Sequence, residues 1–133
     1  MNAPVDPHFA ARCRASFARQ KAMTLIGARL TAVEPGATEI ALPYRDDLTQ
    51  QKGFVHGGII GMIADTACGY AAFSLMPADC SLVTVEYKIN ILAPAKSDLA
   101  ARDEVYAADG TLVASMLQTL MMLADTPDTP EAA

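Results

Sequence analysis

The spacing of apolar and polar residues along the chain predicts a mixture of helices and strands. Between residues 81 and 92 (SLVTVEYKINIL), apolar side chains alternate with polar ones. Shorter runs predict further strands at residues 25–33, 38–44, 99–106 and 111–123, with turns between the members of each pair. The period of two in the clearest run predicts one apolar strand face, formed by Val83, Val85, Tyr87, Ile89 and Ile91.

Two segments carry apolar residues at helical spacing instead. Residues 8–23 repeat an apolar side chain about every four positions, with arginines between them, and predict an amphipathic helix. Residues 53–76 (GFVHGGIIGMIADTACGYAAFSLM) predict a helix that is buried on nearly every side, opens at Gly57 and Gly58, and is stopped by Pro77. The order of elements is typical of an α+β fold in which an antiparallel sheet wraps around one long central helix.

Length and composition indicate one domain. The chain has 133 residues, of which 52% are hydrophobic, and this is enough for a packed core. We therefore expect a single domain at residues 1–123, in which residues 1–24 form an N-terminal lead and helix. Residues 124–133 (ADTPDTPEAA) carry no apolar pattern and are predicted to be a flexible tail.

The composition argues against several classes of protein. The net charge is −5 and no cluster of Lys and Arg stands out, which argues against a nucleic-acid partner. The three cysteines lack C-x-x-C spacing, so neither a zinc site nor a disulfide framework is indicated. An Asp and several glycines interrupt the apolar segment, which argues against a membrane span. Because the N-terminus also lacks the pattern of a signal peptide, we expect a cytoplasmic protein.

Asp65 and His56 are the two side chains in the apolar segment that are charged or titrate near neutral pH. An ionised carboxylate is costly to bury without a partner, and residues 53–76 contain no Lys or Arg. Two interpretations remain open on this evidence. Asp65 is either a structural carboxylate that backbone amides satisfy, or a catalytic group.

The glycines at the start of the predicted helix form a candidate oxyanion hole. The amides of Gly57 and Gly58 have no partner within the helix, lie at the positive end of its dipole, and are accessible to a substrate. Asp65 follows Gly57 by eight residues, about 12 Å along the axis, so one carbonyl cannot touch both on the same helix. Two copies packed antiparallel would bring these residues together at two sites in a dimer interface.

Further polar and aromatic residues lie around this candidate site in the sequence. Thr84 is on the polar side of the following strand, and Gln50 and Gln51 are in the loop before the helix. Their hydroxyl and amide groups are suited to binding a substrate or a water molecule. The aromatic residues expected to shape the substrate pocket are Tyr70 and Phe73.

The motif around the helix resembles a known family. The sequence reads LTQQKGFVHGG into the helix, then six residues, then Asp65 within A-D-T-A, and a later strand ends in N-x-L-A-P-A. Over about residues 25–123, this pattern resembles the hotdog-fold thioesterases of the PaaI-like (phenylacetic acid degradation) family. The resemblance implies a hotdog fold and hydrolysis of an acyl-CoA thioester without a metal or other cofactor. It also implies a homodimer that pairs further into a homotetramer.

The resemblance implies a role for each matching residue. Gly57 is similar to the glycine whose amide polarises the thioester carbonyl, and Asp65 to the carboxylate that activates water or attacks directly. Gln50 takes the place of an Asn or Gln that orients the substrate, and Thr84 that of a hydroxyl residue near the water. His56 resembles the motif histidine, whose implied role is to shape the loop and to bond near the carbonyl more than to transfer a proton.

The C-terminal part of the chain is shorter than the family pattern. Members of the family have three strands after the A-P-A segment, whereas residues 99–123 have room for about two strands of ordinary length. We therefore expect a sheet in which one strand near the C-terminus is shortened or missing.

Two other functions are compatible with parts of this pattern. A non-catalytic protein that binds or senses acyl-CoA would keep the glycine-opened helix but would not need Asp65. A hydratase on the same fold would need a catalytic histidine paired with an Asp, and the chain has only His8 and His56. The hydratase is therefore the weakest of the three hypotheses.

Overall fold

One antiparallel sheet and one long helix dominate the structure, which is a computed structural model describing residues 4–130. The spatial order of the strands is β1-β2-β4-β5-β6-β3. The elements in chain order are α1 (Phe9–Ala18), α2 (Lys21–Ile26), β1 (Arg29–Glu34), β2 (Ala37–Leu42), a short 3-10 helix (Asp46–Leu48), α3 (Gly57–Phe73), β3 (Ser81–Ile91), β4 (Leu99–Ala101), β5 (Val105–Ala107) and β6 (Leu112–Leu123).

The long helix α3 confirms the prediction of a buried central helix. Of its residues only Gly58 is exposed, and the large side chains Ile60 and Ile63 are fully buried against the sheet. Thr38 of β2 donates a hydrogen bond of 2.8 Å to the carbonyl of Ala67, which ties the sheet to the helix. The helix ends at Phe73, four residues before Pro77.

The N-terminal segment departs from the prediction of one helix over residues 8–23. The helix breaks because Gln20 adopts an extended backbone conformation, which separates α1 from α2. A second helical turn then runs to Ile26 and ends at Gly27, whose φ of 76° is readily adopted by glycine. The strand predicted from residue 25 therefore starts only at Arg29.

The C-terminal part of the sheet loses no strand. The run 99–106, predicted as one strand, is a hairpin of β4 and β5 that turns through Arg102 and Glu104, where the amide of the first bonds the carbonyl of the second at 2.9 Å. Each of these strands has only three residues. The expectation of a shortened strand is therefore correct, and that of a missing strand is wrong because ordinary strand lengths overestimate the space needed.

Strand β3 carries a β-bulge that the alternating pattern did not reveal. It pairs with β6 along its whole length, and the register shifts between Thr84 and Glu86, leaving Val85 as the extra residue. A bulge reverses which side successive residues face. Leu82 and Thr84 face α3 before the bulge, and Tyr87 faces α3 after it. The prediction of one apolar face formed by Val83, Val85, Tyr87, Ile89 and Ile91 is wrong, because the bulge puts Val83 and Tyr87 on opposite sides of the strand.

Residues 124–130 of the predicted tail run back towards α1. Arg19 lies 3.2 Å from the carboxylate of Asp128 in an ion pair. Residues 131–133 lie outside the part of the chain that the structure describes.

Candidate active site

Asp65 lies half-buried in the middle of α3, where two side chains from the sheet hold one of its carboxylate oxygens. Thr84 of β3 donates to Oδ1 at 2.7 Å, and Gln118 of β6 donates to the same oxygen through Nε2. Among the described residues, no group donates to Asp65 Oδ2. The carboxylate is therefore anchored on one oxygen and has the other available.

Gln118 is a site residue that the sequence analysis missed. Its Nε2 also lies 3.4 Å from the Asp65 carbonyl oxygen and 3.4 Å from Thr84 Oγ1, while its Oε1 is buried without a donor among the described residues. The reversed amide would set Oε1 against Asp65 Oδ1, so the observed orientation is the favourable one. The sequence did contain a signal for Gln118. It is the one polar residue among every second position of β6 from residue 114 to residue 122, where the others are Ala114, Met116, Leu120 and Met122.

The β-bulge explains how Thr84 reaches Asp65. After the bulge, Tyr87 pairs with Gln118, and both face α3. Without the extra residue, a strand with Tyr87 on the helix side would turn Thr84 to the outer side, because side chains alternate along a strand. The bulge therefore lets both neighbours of Asp65 approach the helix.

A cavity of about 150 Å³ opens beside Asp65 and Thr84. Tyr70 and Phe73, two of the residues predicted to shape the pocket, line it further along α3. The Tyr70 hydroxyl lies 2.9 Å from Ser16 Oγ and accepts a hydrogen bond of 3.0 Å from Gln20. Burial raises the pKa of Tyr70, so this hydroxyl stays neutral at physiological pH.

At the start of α3, the amide of Gly58 is already hydrogen-bonded, contrary to the prediction that it is available to a substrate. His56 caps the helix, and its Nδ1 accepts a hydrogen bond of 2.8 Å from the Gly58 amide. A neutral His56 therefore carries its proton on Nε2. Among the described residues, the amide of Gly57 has no acceptor, so Gly57 and not Gly58 has a free N–H. A Cβ at position 57 would lie 2.8 Å from the Cδ1 atom of Ile91, so the end of that side chain would have to shift.

His56 and Gly58 border a second depression, together with Leu48, Ile59 and Met62. None of these residues lines the cavity beside Asp65. Within one chain, the structure thus brings Asp65 together with Thr84, Tyr70 and Phe73, and it places His56 and Gly58 at a separate depression.

The two glutamines before the helix lie outside both cavities. Gln50 Oε1 accepts a hydrogen bond from the Lys52 amide, and the Gln50 carbonyl accepts one of 3.0 Å from Gly53, so this side chain stabilises a tight turn. Gln51 is exposed. Their predicted roles in substrate binding stay predictions.

Residues 4–130 contain no group of three or more His, Cys, Asp or Glu side chains placed to hold a metal ion. In the same range, no helix has both the length and the apolar character needed to cross a membrane.

Comparison with known proteins relates the chain to thioesterases and esterases. The profile of the thioesterase superfamily matches residues 52–114, which include the helix motif. A solved thioesterase family protein from Silicibacter pomeroyi is 42% identical, with a TM-score of 0.82, over 87% of this chain and 98% of that chain. A Halobacterium salinarum protein named as an esterase is 29% identical over 80% of this chain and 73% of its own length.

The fold also matches a more distant protein. The E. coli PaaI protein from the phenylacetic acid degradation operon has a TM-score of 0.80, covering 89% of this chain and 95% of that chain. Its sequence identity is 16%, so this match concerns the fold alone.

Proposed function

Because the chain belongs to the thioesterase superfamily and has its hotdog fold, it is an enzyme that hydrolyses acyl thioesters, and we propose that its substrate is an acyl-CoA. Two exposed lysines support the choice of CoA. Lys52 lies in the turn before α3, and the end of the Lys96 side chain approaches Gly53 in the same turn. Neither forms an ion pair with a described residue, so both are free to bind the phosphates of CoA.

Asp65 is the general base or the nucleophile in the proposed reaction. With Oδ1 held by Thr84 and Gln118, the free Oδ2 faces a water molecule or the thioester carbon in a fixed orientation. In the water route, Oδ2 accepts a proton as the water oxygen bonds to the carbonyl carbon. The carbon–sulfur bond then breaks, and the proton passes to the leaving sulfur, giving a free acid and CoA.

The oxyanion formed in that step needs hydrogen-bond donors. The Gly57 amide is free, carries the positive end of the α3 dipole and lacks a side chain that would hinder approach. It lies about 12 Å along the axis from Asp65 of the same helix. We therefore assign it to the site of a second subunit whose α3 packs antiparallel, so that a dimer has two sites and each subunit contributes to both.

The observation that carries this proposal is the anchored carboxylate beside a cavity. Replacing Asp65 with Asn keeps both hydrogen bonds to Oδ1 but removes the base. We expect thiol release from acyl-CoA to fall by roughly 10²- to 10⁴-fold, the usual contribution of general base catalysis.

The test is a thiol-release assay with short, medium, long and aryl acyl-CoAs on purified wild type and Asp65→Asn. Asp103→Asn is a matched control, because Asp103 is an exposed acid in the β4–β5 turn. Turnover by Asp65→Asn within a few-fold of wild type would contradict the assignment. Binding of acyl-CoA by the wild type without any thiol release would instead favour a non-catalytic sensor.

A further inference from the structure

The cavity beside Asp65 has an end wall built from opposite ends of the chain. Ser16 and Gln20 reach it from the N-terminal helical region, and Asp128 reaches it from residues 124–130, which we name the C-terminal segment. Asp65 and Phe73 both line the cavity and are eight positions apart on α3, a distance of about 12 Å along the helix axis. The cavity is therefore elongated, with the carboxylate at one end and these polar groups at the other.

Arg19 holds the C-terminal segment in this position. Its Nη2 donates to the backbone oxygen of Asp128 at 2.9 Å and lies 3.2 Å from Oδ2 of the same residue. Its Nη1 donates to the Ala15 carbonyl at 3.1 Å, which fixes the guanidinium on α1. One side chain thus holds the segment at the end of the cavity opposite Asp65.

We propose that the C-terminal segment, held by Arg19, closes the far end of the acyl pocket and limits the enzyme to short acyl groups. This inference rests on the proposed function, since it takes the cavity beside Asp65 as the acyl site. A protein cavity of about 150 Å³ holds one benzene molecule, so the cavity seen here accommodates about six carbon atoms.

The polar character of the end wall explains why a longer alkyl chain is excluded. Ser16 and Gln20 are each hydrogen-bonded to the Tyr70 hydroxyl, and Asp128 is paired with Arg19. A longer chain would have to separate these groups without offering hydrogen bonds in return, which is unfavourable. Ion pairs near the surface are weak, so removing Arg19 or the segment should open the wall without unfolding the domain.

Two variants test the wall from its two sides. One ends the chain at Leu123 and so removes residues 124–133. The other, Arg19→Met, keeps an unbranched apolar side chain like the aliphatic part of arginine but loses both contacts with Asp128. Arg14→Met is the matched control on the same helix, because Arg14 is exposed and bonds only the Leu30 carbonyl. All are assayed for kcat/KM with straight-chain acyl-CoAs from acetyl to dodecanoyl.

For the wild type and Arg14→Met, we expect kcat/KM to fall at least about tenfold between hexanoyl-CoA and decanoyl-CoA. In both wall variants, the fall should shrink to within about threefold, since each added methylene then gains a place to bind. Wild-type turnover with the same chain-length profile in all four proteins would overturn this inference and leave the proposed function intact. Failure of the wild type to hydrolyse any acyl-CoA would overturn both.

Discussion

The two ends of α3 differ in how complete they are within one subunit. At Asp65 the carboxylate is anchored by Thr84 and Gln118 and faces a cavity enclosed by the same chain. At the helix start, the Gly57 amide is free, and the neighbouring depression is separate from that cavity. Under the proposed mechanism, this difference means that one chain carries a base with its pocket at one place and a hydrogen-bond donor for the oxyanion at another. The two would meet only if a second copy of α3 packs against the first.

The largest expected effect comes from mixing two inactive variants. Asp65→Asn removes the base, and Gly57→Ala keeps the amide N–H but adds a methyl group that hinders the approach of the carbonyl oxygen. Each variant should therefore lose activity as a homodimer. In a hybrid dimer, one site combines the intact Asp65 of one subunit with the intact Gly57 of the other. Random mixing should therefore restore about a quarter of the wild-type rate, because half of the dimers are hybrids with one working site.

The mixing experiment tests whether Asp65 of one subunit acts together with Gly57 of the other. The subunits are mixed after reversible unfolding, and thiol release is compared with that of each variant treated alone. If both residues act within one subunit, the mixture will be no more active than its components. Circular dichroism of Gly57→Ala checks that the methyl group, which would contact Ile91, has not disrupted the helix.

A smaller effect is expected from Gln118, which belongs to the Asp65 half alone. Gln118→Leu removes a donor to a charged oxygen and also an unsatisfied buried Oε1, so folding should be little affected. We expect kcat to fall about 10- to 100-fold with KM nearly unchanged, from the energy of a hydrogen bond to a charged group.

Thr119→Val is the control for Gln118, because Thr119 is the next residue on β6, faces the other side of the sheet and bonds Glu86. Steady-state kinetics separate the two parameters. A rise in KM without a change in kcat would mean that Gln118 binds substrate instead of positioning Asp65.

The smallest effect concerns the cavity wall at Gly69. A Cβ there would lie 3.8 Å from Leu82 Cδ1, an ordinary contact, so alanine fits but takes volume from the cavity. Gly69→Ala should raise the free energy of unfolding by about 1 kcal/mol, because alanine is the better helix former. It should also lower kcat/KM several-fold for the longest acyl group that the wild type accepts.

Thermal unfolding and the acyl-CoA series measure the two consequences of Gly69→Ala separately. Higher stability with an unchanged preference for acyl length would show that the acyl group does not occupy this cavity. In that case, the cavity beside Asp65 would not be the acyl pocket, and the two ends of α3 would no longer differ in this respect.

Much of the fold was predictable because it depends on local periodicity. The lack of charge in residues 53–76 predicts the buried helix, and the alternation in residues 81–92 predicts β3. The short β4–β5 hairpin was missed because its two strands are too short to show a period. The break at Gln20 was missed because the residues on both sides of it are good helix formers.

The candidate site was predictable only in part. Asp65 and Gly57 were found because an acid within an apolar helix and a glycine at its start are features that the sequence alone shows. Gln118 was not found, because its importance depends on pairing with β3, a contact between residues more than 30 positions apart. Thr84 was named for its place on a polar strand face, yet it reaches Asp65 because of the bulge at Val85.

The sequence by itself determined the buried helix, the carboxylate within it and the glycine at its start, because helix burial and helix capping depend on residues that are near each other in the chain. Only the tertiary structure decided which oxygen of Asp65 is held, which glycine amide is free and how the cavity ends. Those features depend on strand register and on contacts between distant segments, such as Arg19 with Asp128, and register is set by packing that no local pattern encodes.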